Sequence, residues 1–201
     1  MKTRTVVAIL VLMSISLHSQ KEKQENFEPI PKTKSFITKH QGVFGGKTIN
    51  YTATAKETFL TNDKGDSIAT FWSVAYTKTP MGEVGTRPVT FVFNGGPGSA
   101  SMWLHLGFFG PKLVRTDSDA KQDDGAAPYN LVNNEHGLLD LTDIVFIDPV
   151  GTGYSRMVGK GKESDFYGLK EDVDSFAQFI RTWVTENERW FSPKYLAGES
   201  Y

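Results

Sequence analysis

Val89-Thr90-Phe91-Val92-Phe93-Asn94-Gly95-Gly96-Pro97-Gly98-Ser99-Ala100-Ser101 joins an apolar run to a glycine-rich turn. Val89–Phe93 is short and nearly continuous in apolar character. Such a run, bounded by glycine and proline, fits a strand buried on both faces of a sheet. The segment leaving it admits three readings: a phosphate cradle, a loop donating N–H groups to an oxyanion, or a plain tight turn. The phosphate reading fits poorly. No Lys-Ser/Thr pair completes a Walker loop, no G-x-G-x-x-G is present, and Pro97 removes a backbone N–H that a cradle needs. The oxyanion reading fits better.

Similar patterns follow along the chain. Ile144–Ile147 is a second apolar run, and Tyr195-Leu196-Ala197 is a weaker third. Between them Leu169, Val173, Phe176, Ala177, Ile180, Trp183 and Val184 recur at helical spacing, with Glu171, Asp172, Asp174 and Arg181 mostly opposite. This predicts an amphipathic helix, and strand, helix, strand suggests a parallel crossover. From Ser35 to about Thr79 the pattern favours antiparallel strands. Ile49, Tyr51, Ala53 and Ala55 alternate with polar residues, Ile68–Tyr76 is rich in β-branched and aromatic types, and 62–66 has turn chemistry. Gly42–Thr48 is one residue short of a Walker loop and reads as a hairpin turn. Thr116–Asn134 is polar and reads as a surface loop. The expected class is α/β, with antiparallel strands leading into a mostly parallel sheet.

The third run leads into Gly198-Glu199-Ser200-Tyr201, four of the five positions of a G-x-S-x-G nucleophile elbow. That motif places serine on a sharp strand-to-helix turn, where side chains at the flanking glycines would clash. The bland alternative is a helix N-cap serine. If Ser200 is a nucleophile, the oxyanion donors fall at Gly95/Gly96 and Tyr201. Asp148–Ser155 follows the second run as either a structural turn or part of the site. Ser155 is the weaker candidate nucleophile, because Met157 stands where an elbow needs glycine. His18, His40, His105 and His136 form no metal-binding spacing. The chain has no cysteine, which excludes disulfides, thiolate zinc sites and a Cys nucleophile. No metal or other cofactor is expected.

Lys and Arg number 22 against 23 Asp and Glu, a balance that gives no reason to expect nucleic-acid binding. With 39% hydrophobic and 22% charged residues among 201, the composition is globular. Residues 1–19 depart from it. Lys2 and Arg4 precede a run from Val6 to Leu17, broken only by Ser14 and Ser16, and a small residue, Ser19, closes it. This is the pattern of a secretory signal peptide, and the run is short for a transmembrane span, which needs about 20 residues. The alternatives are an uncleaved anchor or a buried strand. Cleavage after Ser19 leaves a mildly acidic chain with no expected membrane attachment, either secreted or periplasmic. Residues 20–34 read as a leader or linker, and 35–201 as the folded domain.

The segments Asn94–Ser101, Asp148–Ser155 and Gly198–Tyr201, in this order, closely resemble the serine carboxypeptidases, secreted peptidases of the α/β-hydrolase type. The similarity runs from about Lys34 to Tyr201, and N-G-G-P-G is its most specific block. The resemblance implies an α/β-hydrolase fold, incomplete at the C-terminus, and a Ser-Asp-His triad with Ser200 as nucleophile. The Asp and His are expected beyond Tyr201. It also implies oxyanion donation by the N–H groups of Gly96 and Tyr201, and recognition of a peptide's free C-terminal carboxylate by Asn94, Gly95 and Glu199. Two positions depart from the family pattern. Phe108, in Phe108-Phe109-Gly110-Pro111, replaces a Glu that helps bind the substrate carboxylate, and Ser99 stands where many members carry a disulfide cysteine. An esterase or acyltransferase on the same scaffold and a noncatalytic secreted binding protein are the alternative functions.

Overall fold

The computed structural model of the chain describes residues 30–80, 86–115 and 127–200. The stretch read as a signal peptide, most of that read as a leader, part of the 116–134 loop and Tyr201 lie outside the described residues.

Three long strands open the domain: β1 (Ser35–Phe44), β2 (Lys47–Thr61) and β3 (Ser67–Lys78). They pair antiparallel. Gly45-Gly46 closes the first hairpin, with Phe44 opposite Lys47. In the second turn, the Asn62 side-chain oxygen accepts from the N–H groups of Lys64 and Asp66, which is how asparagine stabilises a turn locally. The expected meander is therefore present.

β4 (Val89–Asn94), β7 (Asp143–Ile147) and β9 (Lys194–Glu199) form the parallel part of the sheet. β4 lies between β7 and β9, and β7 joins the meander antiparallel to β3. The sheet order is β1-β2-β3-β7-β4-β9, with a short strand β8 (Arg156–Met157) also on β3. One helix, α2 (Leu169–Glu186), crosses between β7 and β9 and carries Glu171 and Asp172 in its first turn, where acidic groups complement the helix dipole.

The apolar runs are continuous because both faces of the sheet are covered. Phe91, Val145 and Ile147 pack with Phe179, Trp183 and Val184 of α2. Val92, Ile144 and Phe146 face the other way, toward Tyr76, Leu104, Phe109 and Leu138. Leu104 and Phe109 belong to a helical turn, α1 (Met102–Leu104), that continues as a π-helix through His105–Phe109. The sequence reading omitted this segment. It is too short for periodicity to reveal.

The loop reading of 116–134 is corrected at one end. Asn130–Asn133 forms β6, antiparallel to β5 (Lys112–Arg115). Its four residues, Leu131 and Val132 included, bury little, so no alternation marked it as a strand.

At the N-terminal ends of the parallel strands, Asp143 joins three segments. Its carboxylate accepts from Arg87 at 2.8 Å, Arg189 at 2.6 Å and the Lys78 backbone N–H at 2.9 Å. Arg189 is 1% exposed and also donates to Ser192 and to the Arg87 carbonyl. A buried charge this well paired stays ordered, and removing one partner strands the other.

Candidate active site

β4 and β9 are adjacent and parallel, with Asn94 opposite Glu199 at their C-terminal ends. Loops leaving that end of a parallel sheet form the usual ligand site of α/β proteins. Here the 94–101 loop and the 198–200 turn start side by side.

The turn opens on a strained residue. Ser200 is exposed and has φ +64, a left-handed conformation that costs a non-glycine residue energy. A Cβ at Gly198 would come within 2.9 Å of the Phe93 ring, so glycine permits the close approach of β9 to β4.

The neighbouring loop follows the turn through backbone bonds. The Gly95 N–H donates to the Glu199 carbonyl at 2.8 Å, and the Gly96 N–H reaches the Ser200 carbonyl at 3.4 Å. The second contact is long, and such hydrogen bonds are weak. Gly96 has φ +128, a conformation that side-chain-bearing residues rarely adopt.

Asn94 is 3% exposed and bridges two elements. Its Nδ2 donates to Glu199 Oε2 at 3.1 Å, and its Oδ1 accepts from the Leu104 N–H at 3.0 Å. Asn94, Gly95, Gly96, Glu199 and Ser200 are thus brought together. Tyr201 lies outside the described residues.

Ser101 and Asp148 join this cluster, although the reading of the sequence assigned neither an individual role. The Ser101 N–H donates to Asp148 Oδ1 at 2.8 Å. The Ser101 hydroxyl donates to the Ile147 carbonyl and accepts from the Asn94 N–H at 3.4 Å. Burial raises the Asp148 pKa, while the N–H groups of Ser101 and Tyr154 pull it the other way. The serine at 155 is buried, donates to the Asp148 carbonyl and accepts from the Trp72 N–H, both at 2.7 Å. Ser155 is therefore a turn-stabilising residue.

Beside the loop lies a cavity of about 520 Å³, walled by Pro97, Gly98, Val150, Tyr167, Leu169 and Phe176 among others. Phe108 is 65% exposed at the end of the π-helix, and its ring meets Phe109 edge-on. His105 is engaged by other partners: its Nε2 is 2.7 Å from the Tyr76 hydroxyl, and its ring stacks on Phe146. Burial pushes its pKa down to about 4. Among the described residues no histidine hydrogen-bonds Ser200, and no group of three or more His, Cys, Asp or Glu could hold a metal. No helix among them is long and apolar enough to cross a membrane.

The serine carboxypeptidase family model matches residues 47–201. The pheromone-processing carboxypeptidase KEX1 of Cryptococcus gattii is 36% identical over 118 residues, 58% of this chain and 16% of its own length. Serine carboxypeptidase-like 16 of Arabidopsis thaliana is 32% identical over 120 residues, 58% of this chain and 26% of its own. The crystal structure of the prohormone-processing carboxypeptidase KEX1(delta)p from Saccharomyces cerevisiae aligns with a TM-score of 0.58 at 27% identity, covering 75% of this chain and 31% of that one. The chain thus spans at most about a quarter of the length of these curated relatives.

Proposed function

Because the chain belongs to the serine carboxypeptidase family, we propose that it carries the nucleophile of a secreted peptidase that removes C-terminal residues through an acyl-enzyme. Its sheet, antiparallel strands leading into parallel ones, has the α/β-hydrolase arrangement. The observation that carries the proposal is Ser200 at φ +64 on the end of β9, directly beside the 94–101 loop.

In this reading Ser200 Oγ attacks the scissile carbonyl carbon, and its proton passes to a histidine base expected beyond residue 201. The Gly96 and Tyr201 N–H groups receive the carbonyl oxygen as it gains charge. Collapse of the tetrahedral intermediate breaks the C–N bond, and the base returns the proton to the leaving amine. Water then hydrolyses the ester and regenerates the serine hydroxyl. The Gly96 N–H is only weakly held by the Ser200 carbonyl, so an oxyanion can compete for it. Asn94 and Glu199 face the substrate's terminal carboxylate, with Gly95 between them. Export follows from the signal-peptide pattern of residues 1–19.

Phe108 supports a second reading, an esterase or acyltransferase on the same scaffold, because it withdraws one carboxyl group from the family's carboxylate grip. Two measurements on the full-length chain separate these possibilities. A phosphonofluoridate should label Ser200, and Ser200→Ala should abolish both labelling and turnover. Persistent labelling of the variant identifies another nucleophile. The parent should also cleave a peptide acid faster than its C-terminal amide. Equal rates favour the esterase reading.

A further inference from the structure

We propose that Asp148 is a positioning residue for the reaction at Ser200, fixing the oxyanion loop through Ser101. The inference rests on the reading of Ser200 as the nucleophile. It adds a group from the residue just after a third strand, β7, to a site otherwise built from β4 and β9.

The loop 94–101 is tied at both ends. Its last residue, Ser101, is 1% exposed, and its N–H and hydroxyl make three hydrogen bonds, two to the end of β7 and one to the start of the loop. Its N–H goes to the Asp148 carboxylate at 2.8 Å, its hydroxyl proton to the Ile147 carbonyl, and its hydroxyl oxygen accepts the Asn94 N–H. The Asn94 contact is long, at 3.4 Å, so the firmer tie is the one that fastens Ser101 to the end of β7. Asn94 passes the constraint on, because its side-chain amide holds Glu199, the residue before Ser200.

Asp148 is itself held. Its N–H donates to the Trp72 carbonyl at 3.1 Å, and its carbonyl accepts from Ser155. The Tyr154 N–H bonds its carboxylate. Residue 153 is a glycine at φ +52, and a Cβ there would overlap the Asp148 carboxylate. The turn 148–155 is thus shaped around this carboxyl group. An acceptor with two oxygens serves two N–H donors from different segments, Ser101 and Tyr154. An amide offers one oxygen and sets an NH₂ group against the other donor.

The reaction is sensitive to such a brace. Oxyanion donors act only when aimed where charge develops, and a displacement of about 1 Å caused from outside the reacting atoms can cost about 10²-fold. Substrate binding, which uses groups on both strands, depends less on the loop's fine position.

The test uses the full-length chain, with active sites counted by phosphonofluoridate labelling of Ser200. In Asp148→Ala, kcat per labelled site should fall by roughly 10- to 100-fold while KM for a peptide acid stays within about threefold. Asp148→Asn, which keeps one oxygen, should recover part of the loss. Ser101→Ala, which leaves the Asp148 contact but cuts the link to Asn94, should lower kcat in the same way and serves as the test if the Asp148 variants do not fold. An unchanged kcat per labelled site in the variants that fold, with only yield or melting temperature reduced, overturns the proposal and leaves Asp148 a purely structural brace. If the parent itself is not labelled at Ser200, the nucleophile reading fails and this inference fails with it.

Discussion

The side-chain amide of Asn94 donates to the Glu199 carboxylate across 3.1 Å, from the last residue of one parallel strand to the last residue of its neighbour. The pair spans the point where the 94–101 loop and the serine turn diverge. It orients Glu199 without a second carboxyl group, while the other end of the Asn94 amide anchors Leu104. One side chain thereby couples the serine turn to the helical turn that follows the loop.

Asn94→Ala should lower kcat/KM on a peptide acid by roughly 10- to 100-fold. The change removes a partner from the exposed Glu199 carboxylate and takes the acceptor from the Leu104 N–H, and hydrogen bonds to charged groups contribute about 1.5–3 kcal/mol. Steady-state kinetics on the full-length variant, compared with the same peptide's amide, checks this. An equal loss on both substrates would assign Asn94 to loop geometry and not to carboxylate recognition.

His105 should make the fold sensitive to acid. Burial against Phe146 and Tyr76 pushes its pKa from 6.5 down to about 4. The folded state therefore favours the neutral ring. The associated stability is fully present above about pH 6.5 and is lost as pH falls through about 4. A shift of that size corresponds to roughly 3 kcal/mol. Asp148, whose pKa is raised, acts in the opposite sense: its contribution is present at low pH and is lost as pH rises through its folded value. Denaturant titrations of the parent and His105→Gln at pH 7.5 and 4.5 isolate the histidine. The variant should lose less stability between the two pH values.

Arg189→Ala should destabilise the domain by about 3–5 kcal/mol, since it leaves the fully buried Asp143 carboxylate short of a partner. The clamp lies at the end of the sheet opposite Ser200. The molecules that remain folded should therefore keep a near-normal kcat per labelled site. Urea unfolding together with active-site counting measures both quantities.

Phe108→Glu should raise the ratio of activity on a peptide acid to that on its amide, by restoring a carboxyl group at the position where the family uses one to hold the terminal carboxylate. Residue 108 is exposed, so the substitution should cost little stability. A fall in the ratio, or no change, would show that residue 108 does not face the terminal carboxylate.

Local chemistry alone indicated much of this architecture. The runs Val89–Phe93 and Ile144–Ile147 are continuous because each strand is covered on both faces, and the spacing from Leu169 to Val184 is that of a helix with one buried face. The glycines of 94–98 and 198 announced backbone that must turn sharply or pack closely, which is why the loop and the serine turn were legible as motifs. Each signal acts over a few residues, so sequence suffices to carry it. Tertiary structure decided what depends on distant partners. Asp148 and Ser101 are separated by 47 positions, and Asp143 and Arg189 by 46. A polar residue that will be buried and paired has the same local signature as one left in water. Only the parallel placement of β7, β4 and β9 brings these partners within hydrogen-bond reach, and the same placement puts Asn94 against Glu199 and the 94–101 loop beside Ser200.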